Sequence, residues 1–250
     1  MELDDAYANA THIPGGADYP AKWAALAQAF RDNALCELDL PYGETPRQRF
    51  DLFHPSRLSK GLIIFVHGGY WLRFDKSYWS HLAAGPLADG WSVAMPSYDL
   101  CPDVRISQIG EQIGRAIAVI GARVAGPVRL CGHSAGGQLV ARHANAARVE
   151  NVVSVSPVSD LAPLQRTRMN ADLRIDAAEA RTESPVHLPP PATPVTVWVG
   201  GAERPAFLDQ AKWLAEAWNC THVVAPGAHH FNVIEALADP QSPLTQTLVG

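Results

Sequence analysis

Short, unbroken apolar runs recur along the chain and alternate with polar or glycine-rich stretches. Apolar runs of this length are typical of strands that are buried on both faces, as the strands of a parallel sheet are. Several helical patterns lie between these runs, so strands and helices are predicted to alternate. The predicted strands lie at residues 61–66, 92–96, 128–131, 152–155, 195–199 and 221–224.

A second periodicity predicts a helix between two of these strands. Apolar residues recur there at steps of three and four, which places them on one helix face that packs into the core. The alternation of strands and helices predicts an α/β fold, with a mostly parallel, doubly wound sheet and helices on both of its faces. The apolar helix residues are Ile106, Ile109, Ile113, Ile117, Ile120 and Val124.

Residues 157–192 interrupt this alternation. The segment is polar and punctuated by prolines, and it follows a predicted strand at the carboxyl edge of the sheet. Ligands bind at this edge in open α/β sheets, so we expect the segment to be a small insertion that caps the functional site. The alternative is a surface excursion that does not touch the ligand. Further along, a last helix is predicted to begin at Phe231 and to continue to Leu237.

The composition restricts the classes of function. The 250 residues are 47% hydrophobic and show no internal repeat, which predicts one domain over residues 1–250 with a large core. A formal net charge of −5 without a basic cluster argues against a nucleic-acid partner. No apolar run approaches the roughly 20 residues that a membrane-spanning helix needs. We therefore expect no nucleic-acid or membrane partner. A small-molecule substrate is the partner that we expect, and the sequence leaves the oligomeric state open, with a homodimer as one alternative.

The N-terminus and the cysteines bear on location. The first residues are acidic and lack the pattern of a secretory signal. The four cysteines are widely spaced and form no C-x-x-C pair, which fits reduced thiols better than disulfides or a zinc site. The sequence thus predicts a cytoplasmic protein without a bound metal. The cysteines are Cys36, Cys101, Cys131 and Cys220.

A G-x-S-x-G pattern occupies residues 132–136, directly after a predicted strand and before a helix-like stretch. The flanking glycines leave space for the sharp strand-to-helix turn that holds a nucleophilic serine, so the hydroxyl of Ser134 is predicted to project from it. The helix that follows points free N–H groups and its positive dipole end toward the place where the oxyanion of an acyl transfer develops. Ser134 is therefore the candidate nucleophile.

The strand at 61–66 stops at a histidine and two glycines. In hydrolases with a nucleophile elbow, the loop after an early strand supplies one N–H group of the oxyanion hole, and the residue after the nucleophile supplies another. The candidate donors are Gly68 or Gly69, together with Ala135. The alternative is that the glycines only end the strand. We expect His67 to orient this loop by a hydrogen bond rather than to act as a base.

Two adjacent histidines are candidates for the general base. His229 and His230 lie between the strand at 221–224 and the predicted last helix. A loop in this place lies at the carboxyl edge of the sheet, from which an imidazole can reach the serine. Either histidine could serve on this argument, and His230 is the one we assign.

An acidic residue is expected to bind the other ring nitrogen of the base. Glu203 follows the strand at 195–199 and is placed to accept that N–H and fix the tautomer. The order Ser134, Glu203, His230 is the serine, acid, histidine order of this architecture. Asp160, just past the preceding strand, is the reserve candidate for the acid.

Residues 67–71, His-Gly-Gly-Tyr-Trp, resemble the HGGxW motif of the kynurenine formamidases, or arylformamidases, which have the α/β-hydrolase fold. The resemblance extends over nearly the whole chain. It includes a lead-in with Tyr42-Gly43 and Gln48 to Pro55, and it continues at residues 98–102, 132–137, 160–164 and 230–231.

The resemblance implies a serine hydrolase in which Ser134 is the nucleophile and His230 is the base. It implies the same oxyanion donors, Gly68, Gly69 and Ala135. Water completes a two-step acyl transfer after the acyl-enzyme forms, and neither a metal nor an organic cofactor takes part. The implied substrate is N-formyl-L-kynurenine or a related aryl formamide, from which the formyl group is removed.

The sequence departs from the family at two positions. The family's acid corresponds to Glu203, where relatives carry aspartate, so the loop must accommodate one more methylene. His229 stands where the family often has an acidic or a small residue. The second departure bears on which of the two histidines is the base.

Two large rings follow the oxyanion loop in place of a third glycine. Tyr70 and Trp71 are expected to bind substrate, either by narrowing the acyl pocket or by stacking on an aryl leaving group. The alternative is that both rings pack into the core beneath the loop. A broad carboxylesterase acting on small esters is a second function with the same catalytic residues. A noncatalytic binding protein on a hydrolase scaffold is a third, and it predicts that a catalytic residue is missing.

Overall fold

An eight-stranded sheet forms the centre of the computed structural model, which describes all 250 residues. The strands are β1 (Cys36–Pro41), β2 (Arg49–Phe53), β3 (Leu62–Val66), β4 (Ser92–Pro96), β5 (Val128–His133), β6 (Val149–Val155), β7 (Val195–Gly200) and β8 (Thr221–Ala225). The helices are α1 (Tyr19–Arg31), α2 (Ala84–Ala88), α3 (Ile106–Gly121), α4 (Ala135–Arg142), α5 (Asn170–Leu173), α6 (Ala177–Glu183), α7 (Pro205–Trp218) and α8 (Pro243–Val249).

The strand order is β1-β2-β4-β3-β5-β6-β7-β8. Strands β3 to β8 are the six predicted ones, and all of them pair in parallel. β1 and β2 add an antiparallel edge that the apolar pattern did not predict. The reason is that β1 is exposed or half-buried throughout, and both strands contain charged residues that interrupt any apolar run.

The core lies on both faces of the sheet, as the doubly wound prediction requires. Leu62, Ile64 and Val66 of β3 point to one face, where α3, α4 and α7 pack, while Ile63 and Phe65 point to the other, where α1 and α8 pack. This alternation follows from the two-residue period of a strand. The isoleucine face of α3 is buried in the first of these layers, which confirms the prediction for those residues, whereas Val124 lies half-buried in the turn after the helix ends at Gly121.

The strand order reverses at β3, because β4 follows it on one side and β5 on the other. A crevice forms at the carboxyl ends of the strands at such a point. Val66 at the end of β3 pairs with Gly132 near the end of β5, so the loop after β3 and the turn after β5 lie side by side. The candidate oxyanion loop and the candidate nucleophile are therefore neighbours.

Two predicted segments differ from the structure. The last helix was expected over Phe231 to Leu237, but the chain there forms a 3₁₀ helix at Val233–Ala238, followed by α8. Within residues 157–192, the chain folds into two 3₁₀ helices together with α5 and α6, and α6 packs against α3. None of the helices has the length and apolar character needed to cross a membrane.

Candidate active site

Ser134 is the single residue between the end of β5 and the start of α4. Its backbone has φ 58° and ψ −117°, a conformation that a residue with a side chain rarely adopts. The glycines on either side are required by close packing. A β-carbon on Gly132 would overlap the carbonyl oxygen of Gly136, and one on Gly136 would overlap the carbonyl oxygen of Val66. The sequence thus forms the sharp turn that G-x-S-x-G predicts.

The hydroxyl of Ser134 faces a cavity of about 590 Å³ at the carboxyl edge of the sheet. The N–H of Ser134 donates to Val155 O at 2.8 Å, which fixes the turn to β6. No hydrogen bond joins the Ser134 hydroxyl to another protein group, although His230 lines the same cavity. Such contacts are often loose before substrate binds, so the geometry is compatible with proton transfer in a complex.

His230 and Glu203 form a buried pair. The His230 Nδ1 to Glu203 Oε2 distance is 2.6 Å, and the exposed fractions of the two side chains are 4% and 0%. The ring of Phe207 packs on the imidazole with a centroid distance of 4.2 Å. A carboxylate that accepts the Nδ1 proton leaves Nε2 free to accept a proton at the cavity. The structure therefore brings Ser134, His230 and Glu203 together.

The two reserve candidates point elsewhere. His229 accepts hydrogen bonds at Nδ1 from the N–H groups of Phe231 and Asn232, and its Nε2 contacts the hydroxyl of Tyr19 at 3.2 Å. Burial lowers the pKa of His229. Asp160 accepts at Oδ1 from a backbone N–H two residues further on and does not line the cavity.

The loop after β3 presents its backbone to the nucleophile. A β-carbon on Gly68 would lie 2.9 Å from Ser134 Cβ, so only glycine allows this approach. The N–H groups of Gly68 and Gly69 donate to no other protein group. The N–H of Ala135 is unpaired as well, because it belongs to the first turn of α4. Of the three candidate oxyanion donors, Gly68 and Gly69 line the cavity, and Ala135 directly follows Ser134 in the chain.

Two buried histidines support these loops. His67 Nδ1 contacts Gly68 O at 2.7 Å, and its ring stacks on Tyr98 at 4.3 Å. Burial lowers the pKa of His67 to about 4, so the ring is neutral at pH 7. His133 donates from Nε2 to His230 O at 2.9 Å, and its burial, with His230 nearby, also lowers its pKa. His67 therefore orients the loop that carries the candidate oxyanion donors, and His133 holds the backbone of His230, the candidate base.

Tyr70 and Trp71 point in different directions. Tyr70 lines the cavity, and its hydroxyl donates to Tyr7 O at 2.6 Å and accepts from Asn9 Nδ2 at 2.8 Å. Trp71 is fully buried and does not line the cavity, and its indole N–H donates to Gln138 Oε1 at 3.2 Å. The expectation that Trp71 binds substrate is therefore wrong, because its side chain packs in the core below the loop.

The N-terminal segment, residues 4–23, covers the cavity, and we call it the roof. It contributes polar groups and two large rings, Tyr7 and Trp23, to the lining. It contacts the body of the protein through Tyr70, through Gln210 Nε2, which donates to the Tyr7 hydroxyl, and through exposed ion pairs. No motif in the sequence identified this segment. Asp4, Tyr7, Asn9 and Trp23 of the roof line the cavity, and Asp5 of the roof does not.

The insertion at 157–192 contributes less than expected. Only Arg168 and Met169 of this segment line the cavity. Arg168 forms an ion pair with Asp4 of the roof, with Nε and Oδ2 3.0 Å apart. The insertion therefore borders the site and supports the roof, while the roof itself covers the cavity.

Four aromatic residues line one side of the cavity. The Trp23 and Trp79 ring centroids are 4.7 Å apart, and the rings of Phe74 and Phe231 contact Trp23 at 6.0 and 5.3 Å. Trp23 and Trp79 are both 2% exposed. No group of three or more His, Cys, Asp or Glu side chains in the structure could hold a metal ion.

Comparisons with known proteins agree with this architecture. No protein-family profile matches the chain. It is 29% identical over 238 residues to a kynurenine formamidase of Salmo salar, covering 85% of the chain and 80% of that protein. It is 28% identical over 239 residues to a kynurenine formamidase of Drosophila melanogaster, covering 84% and 79%.

Solved structures give the same fold. A protein of Silicibacter sp. TM1040, described as a "putative thioesterase", is 56% identical with a TM-score of 0.98 over the full length of both chains. An esterase of Pyrobaculum calidifontis is 15% identical with a TM-score of 0.75, covering 93% of this chain and 89% of that one. These similarities confirm the predicted α/β-hydrolase fold.

Proposed function

Since the chain is an α/β hydrolase of the kynurenine formamidase type, we propose that it removes small acyl groups by an acyl-enzyme mechanism with Ser134, His230 and Glu203. The observation that carries the proposal is the convergence on one cavity of an elbow serine, a histidine bonded to a buried carboxylate, and unpaired backbone N–H groups. Together they supply the nucleophile, the base and the oxyanion hole that acyl transfer needs.

The steps follow from these positions. His230 removes the proton of Ser134 while its oxygen attacks the carbonyl carbon, and the N–H groups of Gly68 or Gly69 and Ala135 stabilise the oxyanion. The imidazolium, stabilised by Glu203, then protonates the departing amine or alcohol. Water attacks the acyl-enzyme with His230 again as the base, and the acid is released.

We propose an aryl formamide, such as N-formyl-L-kynurenine, as the substrate. The names of the curated relatives support this choice. The aromatic side of the cavity supports it too, because Trp23, Phe74, Trp79 and Phe231 offer rings on which an aryl leaving group can pack. The bulk of Tyr70 beside the oxyanion loop favours a small acyl group.

A carboxylesterase acting on small esters is the second candidate. The observation in its favour is the cavity volume of about 590 Å³, which gives room for an acyl group larger than formyl. The same serine, histidine and glutamate would perform that reaction. The four free cysteines support a cytoplasmic setting for either activity, where thiols stay reduced.

A kinetic comparison separates the two candidates. We would measure kcat/KM for formyl, acetyl and butyryl groups on one aryl leaving group, and for N-formyl-L-kynurenine beside p-nitrophenyl acetate. A formamidase should lose kcat/KM as the acyl chain grows, because each added methylene must displace a ring or strain the site. Preference for butyryl over formyl esters, with little action on N-formyl-L-kynurenine, would favour the carboxylesterase. Ser134→Ala serves as the control for activity from another source.

A further inference from the structure

The Glu203 carboxylate is held by groups outside the three residues of the proposed mechanism. Its Oε2 bonds to His230, while its Oε1 accepts from Ser156 Oγ at 2.5 Å and from the N–H of Gly200 at 2.8 Å. Both oxygens therefore have a buried partner. Ser156 is the first residue after β6, and no motif in the sequence marks it as functional.

The backbone of Ser156 indicates that its hydroxyl is what the position requires. Its φ is 47°, in the left-handed region that favours glycine, and the residue is fully buried. Its N–H donates to Trp198 O at 2.6 Å, which ties this turn to β7. Glycine would suit this backbone better, yet the chain has a residue whose side chain reaches the acid.

The length of the acid explains why such a partner is useful. A glutamate has one more rotatable bond than an aspartate, so more conformational freedom is lost when its carboxylate is fixed. Glu203 comes from the loop after β7, and Ser156 directly follows the neighbouring strand β6. A hydrogen bond between them holds the longer side chain at one end while its other oxygen meets His230.

We propose that Ser156 is a positioning residue that fixes Glu203 in the rotamer that orients His230. The proposal rests on the proposed acyl-enzyme mechanism. Ser156 does not line the cavity, so it acts through Glu203 and does not touch the substrate.

The first test is Ser156→Gly, which removes the hydroxyl and suits the left-handed backbone. We expect kcat to fall about 10- to 100-fold, as for the loss of a hydrogen bond to a charged group, with KM changed by less than about twofold. Chemical denaturation should show a folded protein whose loss of stability is limited, because relief of the left-handed backbone offsets part of the loss of this buried hydrogen bond. Ser156→Cys, with a weak S–H donor, should have an intermediate kcat.

A control distinguishes this effect from the general loss of a buried serine. Ser92 on β4 is 2% exposed and donates to Ser59 Oγ at 3.0 Å, far from the cavity. Ser92→Ala should keep the wild-type kcat and KM. By proton NMR, the low-field resonance of the His230 Nδ1 proton should weaken or shift in Ser156→Gly and stay unchanged in Ser92→Ala.

A double variant tests whether Ser156 acts through the acid. If it does, Ser156→Gly should lower kcat by less than about twofold in a Glu203→Gln background, because the group that it positions is already impaired. A full additional loss in that background would overturn the proposal, and so would wild-type kcat in folded Ser156→Gly. Failure of the proposed function is a separate result, since it would appear as full activity in Ser134→Ala.

Discussion

The floor of the cavity and its roof are held by different kinds of interaction. The floor consists of Ser134, Glu203, His230 and the loop after β3, and its hydrogen bonds are buried between strand ends. The roof has a few buried attachments, at Tyr7 and Asn9, and its charged side chains reach the body through ion pairs with exposed partners, such as Asp5 with Arg204, where the Asp5 side chain is 75% exposed. The floor is built into the sheet, whereas the roof is attached to its edge.

The exposed ion pairs of the roof contribute less to stability than the buried hydrogen bonds of the floor. Exposed ion pairs typically contribute about 0 to 1 kcal/mol each and are weakened by salt. Hydrogen bonds to a charged group contribute about 1.5 to 3 kcal/mol, and breaking a buried one leaves its partner unsatisfied. We therefore expect substitutions in the floor to abolish catalysis with the fold intact, and substitutions in the roof to change substrate binding.

The largest effect should come from the nucleophile and the base. Ser134→Ala and His230→Ala should each lower kcat by about 10⁴ to 10⁶, with the double variant little worse, because these residues act as a unit. Circular dichroism should show the native fold. His229→Ala is the matched control and should remain active, since its ring bonds to its own turn and not to Glu203. Inactivation by His229→Ala with activity retained in His230→Ala would reverse the assignment of the base.

A smaller loss is expected at the acid. Glu203→Gln should keep the fold but lower kcat by about 10² to 10⁴, because the amide favours the wrong imidazole tautomer. Asp160→Asn is the control. It should have a mild effect, because the side chain of Asp160 accepts a hydrogen bond at Oδ1 from the N–H of Ala162 in its own turn. Steady-state kinetics on both variants would decide between them. An inactive Asp160→Asn beside a nearly normal Glu203→Gln would place the acid after β6.

The pH dependence of stability should distinguish the floor from the roof. Burial lowers the pKa of His67 to about 4 from an ordinary value of 6.5, so only the unfolded chain binds a proton there as the pH falls between these values. The free energy of unfolding should therefore decrease from pH 6.5 to pH 4, by up to about 3 kcal/mol from this residue. Urea unfolding at several pH values measures this decrease. In His67→Gln, the free energy of unfolding should depend less on pH.

The roof should not respond in that range. Hydrogen bonds from the N-terminal ammonium group and from the backbone N–H of Arg168 lower the pKa of Asp4 below the ordinary value of 3.8, and a hydrogen bond with His12 together with the charge of Arg204 lowers the pKa of Asp5. Their contribution is present above that value and is lost as the pH falls through the lowered pKa. The roof should thus stay paired to the body between pH 6.5 and pH 4. If the free energy of unfolding depended on pH equally in the wild type and in His67→Gln, His67 would not be the source of the acid sensitivity.

The turns and strand ends that carry the floor residues could be predicted from the sequence because their signals are local. G-x-S-x-G and the glycines after β3 each fix a turn within five residues, and the parallel strands bring those turns together. The roof depends on contacts between distant segments, such as Asn9 with Tyr70, which no local pattern encodes. Trp71 was misassigned because Tyr70 and Trp71 both have left-handed backbones, at φ 57° and 58°, and this turn points adjacent rings in different directions. Ser156 escaped notice because a serine after a strand has no distinctive signature.

The smallest effect is expected where the floor and the roof meet. Tyr70→Phe keeps the ring beside the oxyanion loop but removes the hydroxyl that bonds Tyr7 O and Asn9 Nδ2. We expect KM to rise about three- to tenfold, from the loss of bonds that contribute about 0.5 to 1.5 kcal/mol each, with kcat within about twofold of wild type. Hydrogen exchange at residues 4–12 should become faster, because this part of the roof loses its buried attachment.

The control for that variant is Tyr42→Phe, which removes another buried tyrosine hydroxyl that donates to a backbone carbonyl, Ser97 O, at 2.5 Å. Tyr42 does not line the cavity, so KM and exchange in the roof should stay at wild-type values. If Tyr70→Phe lowered kcat steeply with KM and roof exchange unchanged, the Tyr70 hydroxyl would belong to the catalytic floor. A rise in KM together with faster hydrogen exchange in the roof would instead show that the roof contributes to substrate affinity.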